Sequence, residues 1–284
     1  MTENQQSSLD ISLRTLRLPV FAAHYQEIAN QAERQAWSFS QYLYHLTEME
    51  LEDRHHRKIE RLLKASHLPD DKTMQTLDLT VLPEKVRKQL PALCEGHFLK
   101  RAENVLAFGL PGRGKTHLLS AIGHELVRRS YPVLFIPAYK LVQNLLSAKR
   151  NLWLEKELKK LSRFDAVIID DIGYVQQDRE EMEVLFTFLA ERYERGSILI
   201  SSNLVFSQWD RIFKDPLTTA AAIDRLVHHC TILEMTGDSY RTEEAKKRHQ
   251  LEKGEPMRKE NNINKLLEQI PSVDANGGSN AQDY

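Results

Sequence analysis

The sharpest chemistry in this 284-residue chain lies in eight consecutive residues, Gly109-Leu110-Pro111-Gly112-Arg113-Gly114-Lys115-Thr116. The spacing G-x-x-x-x-G-K-[ST] puts glycines where backbone N–H groups must turn inward toward phosphate oxygens. An apolar run at 105–108 precedes it, and a helix is expected from residue 115 to about 129, so a phosphate would also meet the positive end of a helix. Lys115 is placed to reach β- and γ-phosphates, and the Thr116 hydroxyl to ligate Mg²⁺. Gly109, Pro111, Gly112, Arg113, Gly114 and His117 complete the expected phosphate-binding set.

Two further stations fit the same chemistry. The apolar run 166–169 ends in Asp170-Asp171, the first acid suited to holding Mg²⁺ and the second to polarising an attacking water. Asp171 stands where Glu is commoner and is one methylene shorter. The run 198–200 leads into Ser201-Ser202-Asn203. If this strand lies between the other two, Asn203 would face the γ-phosphate and could orient the water; a turn or helix-cap role is the alternative.

These residues need a rigid frame. Five short segments, 105–108, 133–136, 166–169, 198–200 and 231–233, are continuously apolar and alternate with helical stretches. Runs apolar on both faces predict a parallel α/β sheet covered on each side. Residues 9–65 instead repeat apolar positions at three- and four-residue steps, as in Leu13, Leu16, Val20 and Phe21, the period of helices. Pro19 suits a helix start and Ser38 or Ser40 a cap. The expected plan is a helical domain at 1–68, a linker and lead-in helix at 69–100, a nucleotide-binding domain at 101–250 and a polar, disordered tail at 251–284.

Composition narrows the function classes. Apolar residues make up 41% and charged residues 28%, which excludes a wholly disordered or fibrous chain. The apolar runs fall far short of the roughly 18–20 residues that span a bilayer, so no membrane partner is expected. The polar start MTENQQSSLD carries no secretory signal, and two cysteines, Cys94 and Cys230, suggest a reduced, cytoplasmic protein. Net charge is −1, with 13 basic and 14 acidic residues in the first hundred. Any polyanion must therefore be held by a local patch.

One such patch is visible. Arg54, Arg57, Lys58, Arg61 and Lys64 share a broad helical face, with Ile59, Leu62 and Leu63 opposite and Glu60 as the sole acid between 54 and 64. A basic face of this kind can dock on DNA phosphates without reading bases; a plain solvated face is the alternative. Five neutralised phosphates would give a log–log salt slope of about −4 to −5. Lys246-Lys247-Arg248 is a weaker second candidate. Other chemistries lack their residues: His124-Glu125 has no second histidine at zinc-protease spacing, and the adjacent His228-His229 cannot share a helix face as a metal pair. Trp153 and Trp209 are expected in the core or at subunit contacts.

Taken together these stretches resemble the IstB-type ATP-binding proteins of insertion sequences, a branch of the AAA+ ATPases close to bacterial helicase loaders. The resemblance runs from Leu13 to Arg241. It is carried by 13–19, the phosphate loop, Ile169-Asp170-Asp171-Ile172-Gly173-Tyr174 and 192–197, and most specifically by 202–209, Asp224-Arg225-Leu226-Val227-His228-His229 and Gly237-Asp238-Ser239-Tyr240-Arg241. It implies a P-loop AAA+ fold without a separate lid and a small all-α N-terminal domain that grips duplex DNA. ATP and Mg²⁺ are the implied cofactors, and the implied function is regulation of transposition with a partner transposase. It further implies that Asn203 is the sensor for the hydrolytic water, that Arg225 is an arginine finger reaching a neighbouring copy's site, and that Arg241 is a second sensor in cis. An ion pair with Asp224 is the alternative for Arg225. A helicase loader of the DnaC kind, gripping a helicase instead of DNA, is the alternative function. A separate acidic triad for strand transfer is missing from the sequence, so no nuclease activity is expected.

Overall fold

Every residue of β1 (Asn104–Phe108) and β4 (Ser197–Ser202) is buried, as are the first four of β3 (Ala166–Asp170). With β2 (Val133–Pro137) and β5 (Cys230–Glu234) they form the expected five-stranded sheet, entirely parallel, in the order β2-β3-β4-β1-β5. This is a computed structural model, and it describes residues 3–174, 178–204, 208–209 and 216–236. Arg241, the 246–248 cluster and the tail at 251–284 lie outside the described residues.

Parallel strands need crossover helices, and these cover both faces. The period of two sends alternate residues of one strand to opposite cores. Leu106 and Phe108 point to a cluster with Leu141 and Leu145 of α6 (Ala138–Arg150), Leu185 and Phe188 of α8 (Arg179–Arg192) and Leu226 of α9 (Pro216–Val227). Val105 and Ala107 point to a second cluster with Leu118 and Ile122 of α5 (Lys115–Arg128) and Leu90 of α4 (Glu84–Glu95). α7 (Leu154–Leu161) joins α6 to β3.

Residues 69–82, expected as linker, are packed. Leu68, Met74, Leu77 and Leu82 are buried in the second cluster, and His124 Nε2 meets the Pro69 carbonyl at 3.0 Å.

The N-terminal helices are α1 (Glu3–Thr15), α2 (Pro19–Arg34) and α3 (Phe39–Ser66). Pro19 occupies the first turn of α2. Ser38 caps α3 in a reciprocal capping box with Gln41. α3 is one helix of 28 residues, about 42 Å long, so the apolar and charged stretches read from sequence are a single rod. Buried Glu50 accepts from Val20 N at 3.0 Å, satisfying an open N–H of the first turn of α2. Ile59 and Leu62 of α3 pack against the nucleotide-binding core. Leu63, expected on that face, is 38% exposed, because it lies one step beyond the packed stripe. No helix among the described residues is long and apolar enough to cross a membrane.

Candidate nucleotide site and basic helix

β1 delivers the phosphate loop at the carboxyl end of the sheet, where a cleft of about 410 Å³ opens. Pro111, Gly112, Arg113, Gly114, Lys115, Thr116, His117, Asp171 and Asn203 all line it. Gly114 ends the loop at φ 77° and precedes the first turn of α5, a left-handed conformation that favours glycine. Lys115 is 5% exposed. Its Nζ donates to the Gly109 and Leu110 carbonyls at 2.7 and 2.9 Å, which braces the loop.

The carboxylates arrive from β3. Thr116 Oγ1 donates to Asp170 Oδ1 at 2.9 Å, and Ser201 Oγ of β4 donates to the same oxygen at 2.6 Å. Ser201 Oγ also accepts from Asp171 N at 2.8 Å. Asp171 turns out of the strand at φ 55° into the cleft. The hydroxyl–carboxylate pair of Thr116 and Asp170 is a hard oxygen donor set of the kind Mg²⁺ takes. Ser201 was not singled out from the sequence, although its place two residues before Asn203 at the tip of β4 was a usable signal.

β4 lies between β1 and β3, so its tip faces the cleft between the two motifs. Asn203 Oδ1 is buried there without a hydrogen-bond partner among the described residues, and Arg113 Nε shares that condition. Both side chains line the cleft, each with one buried polar atom whose hydrogen-bonding capacity is unspent among the described residues. Gly173 backs Asn203 so closely that a Cβ would stand 2.1 Å from Oδ1.

The opposite wall comes from 71–82, within the segment expected as linker. Asp71, Lys72, Thr76, Leu77, Asp78, Val81 and Leu82 line the cleft. His117 Nε2 ties this wall to the phosphate loop, meeting Thr76 Oγ1 at 3.0 Å and the Thr73 carbonyl at 3.2 Å. Burial pushes the His117 imidazole below its usual pKa.

Arg225 sits elsewhere. It falls in the last turn of α9, just before β5 begins. Asn104, the first residue of β1, donates to the Leu226 carbonyl at 3.1 Å. That level is separated from the phosphate loop by the length of β1, about 13 Å. The guanidinium stacks 4.7 Å over the Phe186 ring and bonds the Ala221 carbonyl, with no ion pair to Asp224 among the described residues. His228 and His229 follow in a turn, not a helix, and a ligand atom of each comes within 4.8 Å of one on Glu194. Trp209 is fully buried beside Phe108, whereas Trp153 is 43% exposed and so is no core residue.

On α3 all five basic residues are exposed, but two are engaged. Arg54 bonds Glu50 at 2.8 Å and the Arg17 carbonyl at 2.6 Å, and Arg57 pairs with Asp53. Glu50 and Asp53 each lie four residues before their partner, a helical pairing legible in the sequence. Lys58, Arg61 and Lys64 have no ion pair among the described residues.

A five-stranded parallel sheet, a phosphate loop and a polar strand tip between two acidic and glycine-rich motifs define a P-loop nucleotide-binding protein of the AAA+ class. The chain belongs to the IstB-like ATP binding protein family, whose profile matches residues 11–248. It is 43% identical over 247 residues to the insertion sequence ATP-binding protein y4iQ/y4nD/y4sD of Sinorhizobium fredii, covering 86% of this chain and 83% of that one. It is 37% identical to the IS21 ATP-binding protein of Pseudomonas aeruginosa, covering 84% and 90%. In fold it is similar to AMPPCP-bound DnaA from Aquifex aeolicus, with TM-score 0.52 at 22% identity over 72% of this chain and 62% of that one. It is likewise similar to DnaI, with TM-score 0.51 at 20% identity over 60% and 96%.

Proposed function

We propose that this chain is a Mg²⁺-dependent ATPase that assembles on duplex DNA, deforms it and recruits the transposase of an insertion sequence, without cutting DNA itself. The relatives named as insertion-sequence ATP-binding proteins support the setting. Thr116 and Asp170 would hold the metal, which would neutralise phosphate charge when bound. Lys115 binds β- and γ-phosphates, Asp171 polarises the attacking water, and Asn203 orients it. Gly109, Pro111, Gly112, Arg113, Gly114 and His117 enclose the phosphates, and Arg241 reads the γ-phosphate from the same chain.

One observation carries the assembly. Arg225 lies in the last turn of α9, level with the start of β1 and away from the cleft of its own chain; this supports a finger that acts in a neighbour's site. Mixing two inactive variants tests this. Lys115→Ala removes a site but keeps a finger, and Arg225→Ala does the reverse. Mixed on DNA, they should regain a substantial fraction of parental turnover; a mixture no faster than its components sinks the trans assignment. Duplex binding is tested separately with Arg61→Glu plus Lys64→Glu. A helicase loader would keep its function in that variant, and the transposition protein should lose DNA association.

A further inference from the structure

The junction between α6 and α7 brings two large apolar side chains to the surface. Leu152 N bonds the Lys149 carbonyl at 3.1 Å and Trp153 N bonds the Ala148 carbonyl at 2.9 Å. This paired pattern ends a helix with a left-handed residue, normally glycine. Here that residue is leucine, at φ 61°, and its side chain is 95% exposed. Among the described residues nothing covers the leucine side chain. Trp153 beside it is 43% exposed, so two large apolar side chains stand together in solvent.

The surroundings say what they meet. Residues 149–163 carry Lys149, Arg150, Lys156, Lys159, Lys160 and Arg163 against Glu155 and Glu157, in a chain of net charge −1. Lys149 and Arg150 are paired with Glu183 and Glu180 of α8 in solvent-exposed bridges of little net strength, and Lys160 with buried Glu157. Lys156, Lys159 and Arg163 are exposed with no ion pair among the described residues. The excess of cations around this apolar pair is complementary to a polyanion with an apolar interior.

The platform is rigid. Buried Arg192 donates to the carbonyls of Leu161, Phe164, Asp165 and Ser197 at 3.0–3.1 Å, locking the end of α7 to the sheet.

We infer that Leu152 and Trp153 form an apolar wedge that enters the base stack of duplex DNA, while Lys156, Lys159 and Arg163 beside them hold its phosphates. This deepens the proposed function and rests on it. Side chains of this kind partly unstack a base step and kink the duplex, and flexible pyrimidine–purine steps yield most easily.

Leu152→Gly is the telling variant, because glycine relieves the left-handed strain. It should melt no lower than the parent. Together with Trp153→Ala it should bind duplex with an unchanged salt slope, at least tenfold more weakly, and with most of the bend lost as read by end-to-end energy transfer. 2-Aminopurine at a central TA step should brighten with the parent and stay quenched with the variant. If the parent does not bind duplex, the DNA reading itself fails. If the parent binds and bends DNA and the double variant does so equally, the wedge alone is overturned.

Discussion

A methyl group added at Gly173 probes the water-orienting role of Asn203 without altering Asn203 itself. Gly173 lies in the turn Ile172–Tyr174 after β3 and is not in the left-handed region, so alanine can adopt its backbone. The new Cβ would stand 2.1 Å from Asn203 Oδ1, and real contacts of this kind stay beyond 3.0 Å. The amide must therefore retreat by about 1 Å, and a misplacement of that size costs up to about 10²-fold in rate. Moving the end of a flexible side chain costs folding only about 1 kcal/mol. Gly173→Ala should therefore lower DNA-stimulated kcat by about 10- to 100-fold, leaving nucleotide affinity within a factor of about two because Lys115 and the loop are untouched. Steady-state turnover and nucleotide titration read the two quantities. The double variant with Asn203→Ala should be no slower than Asn203→Ala alone. Multiplying losses, or a Gly173→Ala enzyme at full speed, would refute the coupling.

Other outcomes follow from the same geometry. Arg192→Lys replaces a guanidinium that meets four carbonyls with an ammonium that cannot span them, and should cost about 3 kcal/mol or more in denaturant unfolding. His117 is held below its ordinary value by burial. The unfolded chain thus binds more protons just below pH 6.5, and this contribution to stability falls as pH drops through that window. His117→Gln should flatten that slope in thermal melts. Arg54→Ala should lower the melting temperature by breaking the Glu50 and Arg17 contacts. Lys64→Ala, with no such partners, should leave melting unchanged and reduce the DNA salt slope by about 1.

The five strands were legible because each is a short apolar run and the runs alternate with helical stretches, the combination a covered parallel sheet produces. The phosphate loop, Asp170-Asp171 and Asn203 were legible because their chemistry demands particular residue types at strand ends. The 71–82 wall was not. Met74, Leu77 and Leu82 are buried at spacings that match neither helix nor strand, within a run of breakers and acids, so their burial depends on packing against α5. The basic face of α3 was legible as a composition, but its division was overlooked. Glu50 and Asp53, one turn before the counted window, hold Arg54 and Arg57 and leave Lys58, Arg61 and Lys64 for a ligand. Leu152 carried no signal, since only its φ reveals a leucine in a glycine's place.

The separation of Arg225 from the cleft has a consequence for assembly. If each finger completes a neighbour's site, the two contacting surfaces are different regions of the same chain, and the contact is heterologous. Such contacts propagate, closing into a ring or growing as a helix. Each added copy then presents the same basic face. With Lys58, Arg61 and Lys64 on α3 and Lys156, Lys159 and Arg163 beyond α6, one copy would release about six counterions, a slope of about −5; several copies sum their slopes along the duplex. DNA binding should therefore be cooperative in protein concentration, require nucleotide, and steepen in salt dependence as the duplex lengthens. Titration of duplexes of increasing length, with parent and Arg225→Ala, measures all three. A slope independent of length, shared by the two proteins, would mean that single copies bind and that Arg225 plays no part in building the DNA surface.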